Sequence, residues 1–115
     1  MSEYTFNNYQ DDIDSFAVYP HKGEGDVAAI SYVALGLGEA GEVQGKVKKI
    51  LRDDAGIVTD EKREAIAGEL GDVLWYVTRL AHELGLNVED IARANVTKLL
   101  SRKERGVLGG SGDNR

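Results

Sequence analysis

The chain of 115 residues contains no cysteine, which excludes disulfides, thiol chemistry and zinc–thiolate centres. No apolar run approaches the roughly 18 residues of a membrane span. The opening segment is too acidic and polar for a secretion signal, so the expectation is a cytoplasmic protein with no membrane partner. Positive charge is scarce. The net charge of −6 argues against a nucleic-acid surface, which wants a basic face. A phosphorylated small molecule stays admissible, because a bound cation can bring the missing charge. Proline occurs once, at Pro20, and no internal repeat of fixed period is visible.

What is present is ordinary for a globular chain. An apolar fraction of 42% over this length supports one small domain with a modest core. Residues 1–105 read as a single helical domain. Residues 106–115 are glycine-rich, hold too few apolar side chains to pack alone, and read as a flexible tail.

Apolar periodicity predicts four helices. Over 4–18, Thr5 is positioned as a cap, Tyr9, Ile13, Phe16 and Ala17 recur at helical spacing, and Tyr19-Pro20 ends the element. His21 to Asp26 is a polar link. Over 27–53, Ile30, Val33, Leu37, Ala40, Val43, Val47, Ile50 and Leu51 form a broad apolar face opposite Glu39, Glu42, Lys46 and Lys49. That face is wider than one neighbour can cover. Gly36, Gly38, Gly41 and Gly45 each cost about 1 kcal/mol in a helix relative to alanine, so the expectation is that a close approach or a crowded site requires them. Over 60–84, capped by Thr59 or Asp60 and closed by Gly85, the core ridge is Ile66, Leu70, Val73, Val77, Leu80 and Leu84. Trp75 projects from the far side and hints at a subunit contact. Asn87 caps a last helix over 88–104.

Two acidic pairs organise the chain: Glu39-x-x-Glu42 and Glu69-x-x-Asp72, with 26 residues between them. Residues three apart on a helix are neighbours, so each pair directs two carboxylates the same way. Two such helices packed antiparallel bring four carboxylates together. Four unpaired carboxylates repel, and a cation is what relieves them. Oxygen-only donors favour a hard ion, Mg²⁺ or Mn²⁺ before Zn²⁺. A surface pair alone has a plainer reading, with Glu42 and Lys46 as an i, i+4 ion pair. The second pair lies inside AIAGELGDVLWYV, where charged groups between apolar residues need partners or a metal. No histidine follows either pair at the spacing of a di-iron carboxylate site.

Ile91, Asn95, Lys98 and Arg102 fall on one stripe of the last helix, and an amide with two cations in line suits phosphate oxygens and a sugar hydroxyl. For these residues, as for Lys46 and Lys49, the alternative is a solvated face. Tyr76, one turn after Asp72, is either core or a platform for a base. His21 sits in the polar link, where the alternatives are an exposed side chain and a ligand contact.

GLGEAGEVQGKVKK, then ELGDVLWYV, then the Asn95–Lys98–Arg102 stripe resemble the MazG-like branch of the all-α nucleoside triphosphate pyrophosphohydrolases, over about Tyr9 to Arg102. The resemblance implies an all-α, four-helix MazG-like bundle completed by oligomerisation as a homodimer or homotetramer. It implies Mg²⁺-dependent cleavage of nucleoside triphosphates between the α- and β-phosphates, giving a monophosphate and pyrophosphate in nucleotide-pool house-cleaning. By position, Glu39, Glu42, Glu69 and Asp72 are then the metal ligands. Glu39 or Glu42 is the general base, and Lys46, Lys49, Tyr76, Asn95, Lys98 and Arg102 bind substrate. Two alternatives stay open. One is a narrower substrate, dUTP, dCTP or phosphoribosyl-ATP. The other is a non-catalytic, metal-binding helical interaction module.

Overall fold

A computed structural model describes residues 3–112, and every regular element in that range is helical. The first two residues and 113–115, the end of the expected tail, lie outside the described residues. Helix α1 spans Phe6–Ile13, followed by a short 3₁₀ turn at Asp14–Phe16. Helix α2 spans Val27–Gly36, a second 3₁₀ turn covers Leu37–Glu39, and α3 runs Ala40–Asp53. Helices α4, Asp60–Glu83, and α5, Val88–Glu104, complete the chain. The single helix expected over 27–53 is therefore two α-segments. The backbone stays right-handed helical through Gly36, Leu37, Glu39 and Ala40, so the join is a local tightening of one rod, and Glu39 sits on it.

Local chemistry accounts for the boundaries. Thr5 accepts from the Asn8 backbone N–H while the Asn8 side chain accepts from the Thr5 N–H, a capping box. Asp26, Thr59 and Asn87 cap α2, α4 and α5 in the same sense. Helix α4 ends in a Schellman motif: Leu86 N–H reaches Ala81 O at 2.8 Å and Gly85 N–H reaches His82 O at 3.0 Å, with Gly85 at φ +72°.

Helix α4 is the central element. It packs against α2, the 3₁₀ turn before α3, α3 itself, α1 and α5, while α5 also packs on α1. The core is small: Ala17, Tyr19, Ala29 and Val33, with Trp75, Tyr76 and Leu80 against them. The aliphatic ridge expected on α4 faces inward only in part: Leu80 packs against the core, whereas Leu70 and Leu84 are about half exposed. The fully buried positions of α4 are Thr78, Arg79, Ala81 and Glu83. Phe16, expected in the core, is exposed, whereas Ile13 and Ala17 are buried.

Much apolar surface is left unpacked within one chain. Leu35, Leu51 (72% exposed), Val96 (64%), Leu99 and Leu100 all face outward. The accessible surface is 8020 Å², against about 6,200 Å² for a folded monomer of this mass. The radius of gyration is 17.2 Å, against about 13 Å for a closed domain of this length.

Candidate active site

The tightened turn at Leu37–Glu39 and the middle of α4 face each other, which brings the two acidic motifs together. Glu39, Glu69 and Asp72 each place a carboxylate oxygen within 4.8 Å of the other two. Glu39 and Glu69 are half-buried and Asp72 is exposed. Glu42 is exposed on α3 and lies outside this group of three. Lys46 does not pair with Glu42 as its i, i+4 spacing allows; its Nζ lies 3.6 Å from Glu69 Oε1. Lys49 is exposed one turn further along.

One lysine does not neutralise three carboxylates, and like charges this close repel one another. The donor set is all oxygen, which suits a hard divalent cation. Carboxylate oxygens within 4.8 Å of one another, carried on side chains that can turn, are close enough to converge on one ion. The residues fit a metal.

Beside the acids lies an open cleft of about 390 Å³ lined by Glu39, Asp72, Trp75 and Tyr76. Trp75 does not project away from this face. It is half-buried, with its ring edge-on to Tyr76 at 5.1 Å between centroids and edge-on to Tyr19 at 6.4 Å. The reason is the inward stripe of α4: Asp72, Trp75, Arg79 and Glu83 recur at i, i+3, i+7 and i+11, one helical face. Burial first, then the neighbouring Tyr32, Glu39 and Asp72, push the Tyr76 phenol above its ordinary value. It stays neutral beside the acids.

Gly36 explains how Tyr76 fits. A Cβ there would lie 2.1 Å from Tyr76 Cε1, so only glycine lets the ring lie against the helix. Gly38, Gly41 and Gly45, expected to serve a close approach too, have nothing within 4 Å of such a Cβ.

The α5 stripe is elsewhere. Asn95 and Lys98 line a separate surface hollow with Ile91 and Ala94, and Arg102 is buried. None of the three borders the acidic cleft. His21 is in the polar link, where its Nδ1 lies 2.7 Å from Asp26 Oδ2 and 3.0 Å from Glu24 Oε2.

A buried polar cluster behind the cleft went unread in the sequence. Arg79, wholly buried, donates to the Tyr19 hydroxyl from Nε (3.1 Å) and Nη2 (2.9 Å), and to Asp14 Oδ1 from Nη1 (3.0 Å). The Tyr19 hydroxyl donates to Glu83, which also accepts from the Gly23 and Gly25 N–H groups at 2.8 and 2.9 Å. Burial pushes the Glu83 carboxyl up, but these hydrogen bonds and the Arg79 charge outweigh it and hold the group below its ordinary value. The signal was the i, i+4 spacing of Arg79 and Glu83 in line with Asp72.

The MazG nucleotide pyrophosphohydrolase domain model matches residues 28–107, a span that contains both acidic motifs, the aromatic wall and α5. The chain belongs to this family. Its all-helical architecture is the MazG-like one, and membership supports a pyrophosphohydrolase enzyme in general terms. The chain is also 50% identical, over 109 residues covering 93% of its length and 96% of the relative's, to the Gene 37 protein of Mycobacterium phage L5. No solved structure matches it significantly. No helix among the described residues is long and apolar enough to cross a membrane.

Proposed function

We propose that this protein is a Mg²⁺-dependent nucleoside triphosphate pyrophosphohydrolase that breaks the α–β phosphoric anhydride and releases a nucleoside monophosphate and pyrophosphate. The observation that carries this reading is the convergence of Glu39, Glu69 and Asp72 at the edge of a cleft walled by Trp75 and Tyr76. Acids suit a cation and the phosphates it accompanies, and flat rings suit a base. Bound by the three acids, Mg²⁺, or Mn²⁺ in its place, supplies positive charge to phosphate oxygens and lowers the pKa of water.

The chain's own residues do the rest. Glu42, exposed and without a hydrogen bond or ion pair among the described residues, keeps both oxygens available to take the proton of the attacking water as general base. The water oxygen bonds to phosphorus, the bridging oxygen leaves with pyrophosphate, and Lys46 and Lys49 meet the charge that develops on it. Asn95 and Lys98 lie away from this cleft within one chain, so their part in holding phosphates and sugar depends on a second copy presenting its α5, and Arg102, buried within its own chain, joins them only if that contact uncovers it. The unpacked apolar faces on α2, α3 and α5 support a homodimer or homotetramer.

The test is product analysis on a panel of ribo- and deoxynucleoside triphosphates with and without Mg²⁺. Metal-dependent pyrophosphate and monophosphate are expected. Orthophosphate as first product would place cleavage at another bond. Metal binding without turnover of any nucleotide would leave the site as a binding module.

A further inference from the structure

The cluster of Asp14, Tyr19, Arg79 and Glu83 has no part in the chemistry above, and its burial is not explained by stability. A buried ion pair is often replaceable by apolar residues without loss, so its presence asks what it holds in place. Three polar partners converge on the Tyr19 hydroxyl, two guanidinium nitrogens and the Glu83 carboxylate, and together they fix the tilt and rotation of the ring. That ring stacks on Tyr32 at 5.3 Å with 17° between planes and meets Trp75 edge-on at 89°. Trp75 in turn meets Tyr76 edge-on. Among the described residues, neither the Trp75 indole N–H nor the Tyr76 hydroxyl has a hydrogen-bond partner. The aromatic wall is therefore oriented by packing rather than by hydrogen bonds of its own, and Tyr19 is the one ring touching Trp75 that is itself anchored by polar bonds.

We infer that Tyr19, clamped by Arg79 and Glu83, is a positioning residue that sets the orientation of Trp75 in the wall of the acidic cleft. Through Trp75 it governs how tightly a flat ligand group stacks there. The second statement rests on the nucleotide reading above; the first does not. The sequence has a single tryptophan beside five tyrosines, so fluorescence excited beyond the tyrosine absorption band reports Trp75 alone.

The experiment compares wild type with Tyr19→Phe, which keeps the ring and removes its anchor, and with Arg79→Lys, which keeps the charge and loses the fork that holds Tyr19 and Asp14 together. Tyr4→Phe, whose hydroxyl bonds the exposed Asp12, is the control. In both cluster variants Trp75 anisotropy should fall and its quenching by acrylamide rise, with helical circular dichroism intact. KM for the triphosphate should rise about five-fold, part of what a base stacked on an aromatic ring contributes, with kcat within about two-fold. Unchanged Trp75 fluorescence in folded variants would overturn the inference whatever the activity. Loss of folding in both variants would make the cluster a scaffold and also overturn it. Altered fluorescence in a protein whose wild type hydrolyses no nucleotide would sink the proposed function and leave the positioning role standing.

Discussion

Gly36 and the ring of Tyr76 share a space that admits no methyl group: a Cβ on residue 36 would stand 2.1 Å from Cε1 of the tyrosine. Alanine is favoured over glycine in a helix by about 1 kcal/mol, yet overpacking of this kind costs about 1–3 kcal/mol, so the clash decides the sign. Gly36→Ala should lower the midpoint of urea unfolding and raise KM by turning Tyr76 out of the cleft wall. Gly41→Ala and Gly45→Ala meet nothing within 4 Å and should each gain up to about 1 kcal/mol. Equal destabilisation at all three positions would mean that open space is not what distinguishes them.

Removing one carboxylate from the trio separates repulsion from ligation. Without metal, Asp72→Asn relieves like-charge crowding, so its Tm should equal or exceed that of wild type. With Mg²⁺, a ligand that binds only the folded state raises Tm by mass action, worth about 2.7 kcal/mol at a hundred times Kd. That gain should vanish in Glu39→Gln, Glu69→Gln and Asp72→Asn. Glu42→Gln should keep most of it, because Glu42 is outside the group of three, while losing turnover as the general base. Thermal scans with and without Mg²⁺, beside initial rates, separate these outcomes. A Glu42→Gln protein that loses the Mg²⁺ shift would make Glu42 a ligand instead.

The acidic motifs were legible because local spacing on helices carries over directly: two acids three apart stay neighbours in any fold. The caps at Thr5, Thr59 and Asn87 and the glycine that ends α4 were legible for the same reason, whereas Asp26, the cap of α2, was read only as the end of a polar link. Nothing local told which face of α4 turns inward. Counting apolar residues chose Ile66, Leu70, Val73, Val77, Leu80 and Leu84. The structure turns Arg79 and Glu83 inward because Tyr19, Asp14, Gly23 and Gly25, some 60 residues away in the chain, supply their partners. That reversal also carried Trp75 from a supposed outer surface to the wall of the cleft.

Glu83 is the hub of that reversal, and its loss should be costly. Removing one partner of a buried ion pair typically costs about 3–5 kcal/mol. Glu83→Gln offers one acceptor oxygen to three donors, so a backbone N–H of the 20–26 link goes unpaired. The wild-type carboxyl is held below its ordinary 4.5 in the folded state. Its stabilisation is therefore present above that value and lost as pH falls through the lowered one. Urea unfolding should show a large wild-type advantage over Glu83→Gln near neutrality that shrinks in acid; a gap constant down to strongly acidic pH would rule this account out.

His21 titrates with the opposite sign. The hydrogen bond to Asp26, then the charges of Asp26 and Glu24, raise its pKa above the ordinary 6.5. A group whose folded pKa is raised stabilises fully below the unfolded value and loses that contribution as pH rises through the folded one. The difference in urea midpoint between wild type and His21→Ala should thus be larger at pH 5.5 than at pH 8.5. Asp26 also caps α2, so amide exchange at the start of α2 should quicken along with it. A difference that grows with pH would show that another group controls the link.

The apolar residues of α5 decide whether one chain is the working unit. Val96, Leu99, Leu100 and Leu108 border one surface hollow, with only Lys103 charged among its lining residues. The chain exposes about 1,900 Å² more than a closed monomer of its mass would, well above the roughly 800 Å² per partner of a standard interface. Light scattering should give a whole multiple of the chain mass, and Leu100→Glu, which puts a charge on that face, should reduce it. If Asn95 and Lys98 reach substrate only from a neighbouring copy, the same variant should lose turnover while keeping its Mg²⁺-dependent rise in Tm, since Glu39, Glu69 and Asp72 come from one chain. A folded, monomeric Leu100→Glu protein with full activity would place the whole site within a single copy and leave the α5 cations without a role in it.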